Sequence, residues 1–241
     1  TSYITTDARL GFPFQIASNR SFEIFGKLQS SSVISGSNNV SSEFSDYSKA
    51  LYGVGYIQNT LDYDLNPSRG SYLNIHSSLG NKKGGKVRAI HLESELEVSY
   101  YQPLIDAFVL KFSLNAGYMK SWFEKDLMEF SKNELFRFGG NNLLRGFQEN
   151  RFYASLYSLA SFELRYLLGA NSNVRLFWDG AYYKNAFAEQ SREDFPFGFG
   201  AGAYLDTGQG IISISYALGK ATGHPVEIKN AKLHIGYINK F

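Results

Sequence analysis

The chain has 241 residues, a formal net charge of +2 and no cysteine. Missing thiols exclude disulfides, thiolate metal sites and thiol catalysis, while interspersed charges form neither a nucleic-acid-binding stripe nor a polybasic membrane patch. No apolar run approaches the roughly 18–20 residues of a membrane helix, and no charged start followed by an apolar stretch opens the chain, so any signal peptide is expected to have been removed.

Aromatic residues reach 16%, with 23 glycines against 5 prolines, a composition suited to pleated sheet with rings at an interface. A strand crosses a bilayer with about 9–11 residues, only alternate ones facing lipid. The mean hydropathy of −0.25 is therefore compatible with a membrane protein.

Period-two alternation runs through most of the chain and predicts antiparallel sheet. The first candidate strands span about 3–16, 20–34, 48–62 and 70–80, with a Ser- and Asn-rich loop at 35–47. Next, Ile90, Leu92, Leu96, Val98 and Tyr100 share a face with Ser94, against His91, Glu93, Glu95, Glu97 and Ser99. Three carboxylates on one face do not fit a sandwich core; they point to water outside a sheet or inside a barrel. The chain is expected to reverse through Gln102-Pro103. Phe108, Leu110, Phe112, Leu114, Ala116 and Tyr118 then oppose Lys111, Ser113, Asn115 and Gly117.

A long irregular stretch, 121–153, separates this strand from the next. There Leu156, Ala160, Phe162, Leu164, Tyr166 and Leu168 oppose Ser155, Ser161, Glu163 and Arg165. Val174, Leu176, Trp178 and Tyr182 follow, against Arg175, Phe177, Asp179 and Tyr183. Phe195 to Leu205 alternates with Gly198, Gly200 and Gly202, which read as a crowded or bent wall. Ile212 to Leu218 and Leu233 to Phe241 close the series.

The count is about eleven or twelve strands. Many run 12–16 residues, where soluble proteins use about 5–6. The fold class is an all-β, antiparallel transmembrane β-barrel forming one domain over 1–241; a soluble all-β protein is the alternative. Tyr52, Tyr56, Tyr100, Tyr101, Tyr118, Trp122, Tyr166, Trp178 and Tyr182 fit interfacial girdles.

The long stretch contains Phe136-Arg137-Phe138-Gly139-Gly140-Asn141-Asn142-Leu143-Leu144-Arg145-Gly146-Phe147. It resembles the lumen loop of the bacterial surface-antigen superfamily, the BamA/TamA-type outer-membrane insertases and their two-partner-secretion relatives, with Leu144 where Val or Ile is commoner. Four further segments match in order. They are Asn66-Pro67-Ser68-Arg69-Gly70, Ala160 to Arg165 with an inward Glu163, Phe177 to Ala181 with an inward Asp179, and the Gly198 to Gly219 hairpin. The ending at Phe241, with Tyr237, resembles a C-terminal assembly signal.

The resemblance implies a lumen loop marked by Gly139, Gly140, Leu144, Arg145, Gly146 and Phe147, with Glu163 and Asp179 as its partners. Alternation independently places Glu163 with Ser161 and Arg165, and Asp179 with Arg175. An Arg in a narrow lumen needs anionic partners, and guanidinium binds carboxylate bidentately. A plug that stabilises the barrel and a direct role in gating both remain open.

By resemblance the barrel inserts other β-barrels into the outer membrane of a diderm bacterium, or moves polypeptides across it, templating incoming strands on an edge formed by 230–241. Expected partners are outer-membrane lipid and lipopolysaccharide, unfolded outer-membrane clients and periplasmic accessory proteins. The family barrel has sixteen strands, so either N-terminal strands and periplasmic POTRA repeats are expected to be absent from this chain, or this is a divergent smaller barrel. A passive channel, or an anchor for an upstream enzyme domain, are the rivals.

No enzyme, metal or cofactor is expected. His76, His91, His224 and His234 lack metal spacing, and parity places His91 beside Glu93 and Glu95, facing water. Glu93, Glu95 and Glu97 read as a solvated lumen face.

Overall fold

The computed structural model describes residues 2–35, 44–85, 87–123, 126–127, 130–141, 143–185 and 192–239. Its strands are β1 (Ser2–Ala17), β2 (Arg20–Ser35), β3 (Tyr47–Asn59), β4 (Gly70–Gly84), β5 (Val87–Pro103), β6 (Phe108–Phe123), β7 (Asp126–Leu127), β8 (Phe136–Phe138), β9 (Phe152–Ala154), β10 (Leu156–Gly169), β11 (Ser172–Asn185), β12 (Arg192–Asp194), β13 (Phe197–Asp206), β14 (Gly210–Lys220) and β15 (Lys232–Asn239). Among the described residues, eleven form a continuous antiparallel path, β1-β2-β3-β4-β5-β6-β10-β11-β13-β14-β15. β7 and β12 are short additions to β6 and β11, and β8–β9 is a separate hairpin. Among the described residues, no helix is long and apolar enough to cross a membrane.

The sheet turns its apolar side outward. On β10, Phe162, Leu164, Tyr166 and Leu168 are 39–54% exposed, while Ser161, Glu163 and Arg165 between them are buried. That inverts a water-soluble protein and matches a strand with lipid outside and a polar lumen within. The sheet also curls. Eleven strands laid flat would separate their edges by about 48 Å at about 4.8 Å per step. One loop nevertheless reaches both ends, with Arg137 over the Tyr3 ring of β1 at 5.2 Å and Glu149 3.8 Å from His234 of β15.

The connections are asymmetric. The connections that follow β1, β3, β5, β10 and β13 are short (18–19, 60–69, 104–107, 170–171 and 207–209), while the set that follows β2, β4, β6, β11 and β14, from the other end of the sheet, includes the longest. In outer-membrane barrels the longer loops face outward from the cell, which makes the second set the outer end.

Four local expectations are corrected. β5 runs straight through Gln102-Pro103, and the reversal falls at 104–107, closed by Leu104 N–H to Phe108 O and Phe108 N–H to Ile105 O, both 2.9 Å. Asp106 takes the left-handed conformation there (φ 48°), which Asp tolerates better than most residues. β3 ends at Asn59 because Thr60 starts the bend toward Gly70. Phe195 precedes β13 rather than opening it. Tyr101 is buried in the lumen beneath Arg165, by strand parity, and not in a girdle.

Candidate functional site

The connection from β6 to β10 rests inside the curl. Its β8–β9 hairpin pairs Phe136 with Ala154 and Phe138 with Phe152, and carries a loop that needs three positive-φ glycines: Gly139 (110°), Gly140 (105°) and Gly146 (93°). Glu149 fixes the loop neck by accepting from the Asn141 N–H at 2.7 Å. Leu144 and Phe147 are almost fully buried with Phe138, Phe152, Tyr157, Leu159 and Ala181. Burying a side chain of that size contributes about 1.5–3 kcal/mol, so an apolar core surrounds the charged tip.

The tip is Arg145, 5% exposed. Its Nε and Nη2 donate to the two oxygens of Asp179 at 2.7 and 2.6 Å. Nη1 donates to Glu163 at 2.7 Å and Nη2 also to Ser161 at 3.0 Å. Its backbone N–H donates to Asp179 at 3.0 Å. Ser161 Oγ donates to Asp179 at 2.6 Å, and Arg165 Nε donates to the other oxygen of Glu163 at 2.7 Å. The guanidinium lies 3.6 Å over the Phe177 ring, which adds a cation–π contact. Ser161 faces Asp179 across the β10–β11 ladder, and Glu163 faces Phe177, so one register sets every partner.

The strands that follow β11 in the sheet are made for close approach, with Gly198 of β13 paired to Asp179 itself. A Cβ on Gly198 would overlap the Arg145 carbonyl oxygen, and one on Gly219, its ladder partner, would stand 2.7 Å from the Gly146 carbonyl oxygen. Of the expected crowded wall, Gly198 is crowded by the loop's own backbone, whereas Gly200 and Gly202 lie against the backbone of β14, at Tyr216 and Ile214.

A second anchor holds the stem. Glu134 is buried 2.7 Å from Lys82 Nζ and 3.8 Å from Lys49 Nζ, with all three side chains about 1% exposed. Ser131 donates from its N–H and its hydroxyl to the other Glu134 oxygen at 3.1 and 3.0 Å. Asn133 donates to Ser31 of β2 at 2.9 Å. Lys49 also lies 3.8 Å from Glu93, which accepts from Lys27 at 2.9 Å.

Glu93 and its neighbour His91 depart from expectation. His91 is 0% exposed, 2.7 Å from Ser121 Oγ and 3.4 Å from Glu93. The stem covers them, with the Phe130 ring 6.0 Å from His91; of the three carboxylates only Glu95 and Glu97 stay exposed.

Gly139, Gly140, Leu144, Arg145, Gly146, Phe147, Glu163 and Asp179 therefore lie in one place. Tyr237 stands elsewhere, 59% exposed on the outward face of β15, and Phe241 lies outside the described residues. Sequence reasoning passed over Ser161 and Phe177 as partners, although their parity beside Glu163 and Asp179 carried the signal. It missed the whole stem anchor, because no spacing in 121–153 singles out Glu134. At the opposite end, the 60–69 turn reaches across the lumen mouth: Asn66 donates to the Gly169 and Ser172 carbonyls at 3.2 and 3.3 Å. Burial alone would raise the Asp62 carboxyl in that turn, but hydrogen bonds from the Ser68 hydroxyl and the Arg69 and Ser68 N–H groups outweigh it and hold it below its ordinary value.

Residues 1–238 match the Omp85 superfamily domain. The chain belongs to the Omp85 superfamily. Among solved structures, it is similar to BamA from Haemophilus ducreyi lacking POTRA domains 1–3, with a TM-score of 0.76 at 17% identity, over 98% of this chain and 54% of that one. It is also similar to CdiB from Acinetobacter baumannii, with a TM-score of 0.61 at 16% identity, over 97% and 41%. The chain spans about half the length of these relatives or less. Compared with curated proteins, it finds no match. At these identities the structural likeness carries the fold, and membership carries the location: this is a bacterial outer-membrane barrel of the Omp85 type.

Proposed function

We propose that this barrel assists the insertion of β-barrel proteins into the outer membrane, or the passage of polypeptides across it, with the whole chain acting as one barrel unit. The carrying observation is the loop held inside the curl by Arg145 on one wall and Glu134 on the other. A passive pore works best with a clear lumen. A loop anchored by charges whose partners sit on separate strands suits a protein whose walls shift against each other. No covalent bond changes in such work, so the buried ionic groups act by holding geometry, and the barrel needs neither an enzymatic centre nor a cofactor. An incoming strand would pair with an exposed strand edge, where backbone N–H and C=O groups are free. Unfolded outer-membrane proteins are the clients, periplasmic accessory proteins and lipopolysaccharide further partners, and Tyr237 with Phe241 the signal read during this barrel's own assembly.

The test is reconstitution in phospholipid vesicles, followed by addition of an unfolded small outer-membrane barrel. Client folding, read as protease-resistant, heat-modifiable protein, should run several-fold faster than in empty vesicles, and Arg145→Ala should abolish the gain. Unaccelerated client folding, together with steady single-channel conductance of the wild type, would replace this reading with the channel.

A further inference from the structure

The outward face carries a pattern that the lumen loop does not use. At the outer end, ladder register sets Thr6 beside Ser30, Ser30 beside Ser48, Ser48 beside Lys83 and Lys83 beside Arg88, one polar row across β1–β5. Toward the middle the face becomes apolar, with Leu79 opposite Leu92, Ile75 opposite Leu96 and Leu73 opposite Val98. Lys83 and Arg88 are exposed, whereas their neighbours Lys82 and Ala89 turn inward and are buried. An open groove runs along this row, lined by Thr6, Ser30, Ser48, Asn81, Lys83 and Arg88 among others.

Two like charges directly opposite one another destabilise a sheet. Among the described residues, the outward positions of β1–β6 carry no carboxylate to offset them. A third cation, Lys120 of β6, shares the face opposite Leu92. Position explains what the pair meets. From Tyr100, the last outward aromatic of β5, Ile90 lies about 23 Å along the membrane normal at about 3.3 Å per residue and a tilt near 45°. Arg88 lies about 28 Å away by the same reckoning, just past an apolar band about 25 Å tall. The two cations therefore stand at the headgroup level of the outer leaflet, with apolar wall for acyl chains directly beneath.

We propose that Lys83 and Arg88, flanked by Ser48 and Asn81, form a binding site for the phosphate of an outer-leaflet lipid headgroup. The guanidinium provides a bidentate fork for phosphate and the ammonium a point charge. The hydroxyl and amide flanks donate to further phosphate oxygens, and the acyl chains lie on the Leu79–Leu92 wall. This rests on the outer-membrane placement of the family and stands whether or not the barrel inserts clients.

The test uses the whole protein in detergent micelles, titrated with lipid A carrying both phosphates, the same lipid without phosphates, or inorganic phosphate, and read by native mass spectrometry. Wild type should hold the phosphorylated lipid about 30-fold more tightly than the dephosphorylated one, as two interfacial cations predict. Lys83→Gln/Arg88→Gln should erase that preference, while Arg20→Gln, on the same face at the other end, should keep it. Equal retention of the two lipids by wild type would overturn the site without recourse to any variant. So would an undiminished preference in the double variant with its gel mobility intact, or equally tight binding of inorganic phosphate alone. Client insertion is measured in vesicles free of lipid A, so the two proposals fail separately.

Discussion

The loop's two anchors use opposite polarities. At the tip a loop cation enters walls that supply carboxylates; at the stem a loop carboxylate enters walls that supply ammonium groups. The tip satisfies its charge by direction: every guanidinium nitrogen donates, and Asp179 collects bonds from three donors on Arg145 and one on Ser161. The stem satisfies its charge by proximity. Lys82 Nζ is 2.7 Å from Glu134, yet neither it nor Lys49 Nζ makes a hydrogen bond of good geometry to that oxygen. A fork fixes both position and orientation, whereas a point charge fixes position alone. The tip is thus built to define one pose, and the stem to hold the loop near the wall while tolerating small shifts of β3 against β4.

The sharpest way to break this comparison is to remove the fork. Arg145→Ala leaves Asp179 with Ser161 and Glu163 with Arg165. Removing one partner of a buried ionic network costs about 3–5 kcal/mol, and the upper part of that range is expected here. The temperature at which the folded barrel loses its shifted gel mobility reports it. Arg145→Lys should recover little, since one ammonium cannot serve two carboxylates and a hydroxyl in fixed directions. A double-mutant cycle of Arg145 with Asp179 should give strong coupling; additive effects would mean that the two side chains do not meet.

Glu134→Gln should cost less, about 3 kcal/mol, although two buried lysines lose their carboxylate. Lys49 keeps Glu93 as a neighbour, and lysine can shed its proton or swing its stem where arginine cannot. A loss equal to that of Arg145→Ala in the same gel assay would erase the distinction between the anchors. Gly198→Ala comes next, at about 1–3 kcal/mol for overpacking, because its methyl meets the Arg145 carbonyl oxygen. In an Arg145→Ala background, where the tip can withdraw, the penalty should shrink. An unchanged penalty would mean that the tip does not rest on this glycine.

How far the sequence revealed these anchors follows their physics. Strands of period two show which side each residue faces, so Glu163 and Asp179 could be assigned inward before any coordinates. The Gly-Gly and Arg-Gly-Phe signals mark backbone that must bend through positive φ, which composition alone records. Glu134 has no such mark: it sits in irregular chain, and its partners Lys49 and Lys82 come from strands more than fifty residues away. Lys49 and Lys82 lie on the buried face of β3 and β4, but nothing local in those strands says that a loop would meet them. His91 failed for the same reason, since parity correctly placed it inside but could not foresee the Phe130 stem laid over it.

The smallest effect is the most selective. Lys82→Arg should change the unfolding temperature by the equivalent of less than about 1 kcal/mol, in contrast to the reciprocal exchange at Arg145. The stem asks only for a cation near Glu134, and arginine keeps both the charge and a long apolar stem against the Phe130 ring, which now lies 5.0 Å from Lys82 Nζ. A guanidinium could even supply the directed bond that Lys82 lacks, so a slight gain is within the same expectation. Arginine is larger, and if the stem pocket demanded one orientation, as the tip does, the exchange would cost several kcal/mol through misplaced donors. The thermal gel shift of Lys82→Arg beside that of Arg145→Lys therefore separates two kinds of anchor. Equal large losses would make both of them forks in fixed sockets, and a near-neutral Lys82→Arg beside a damaging Arg145→Lys would leave orientation as the property of the tip alone.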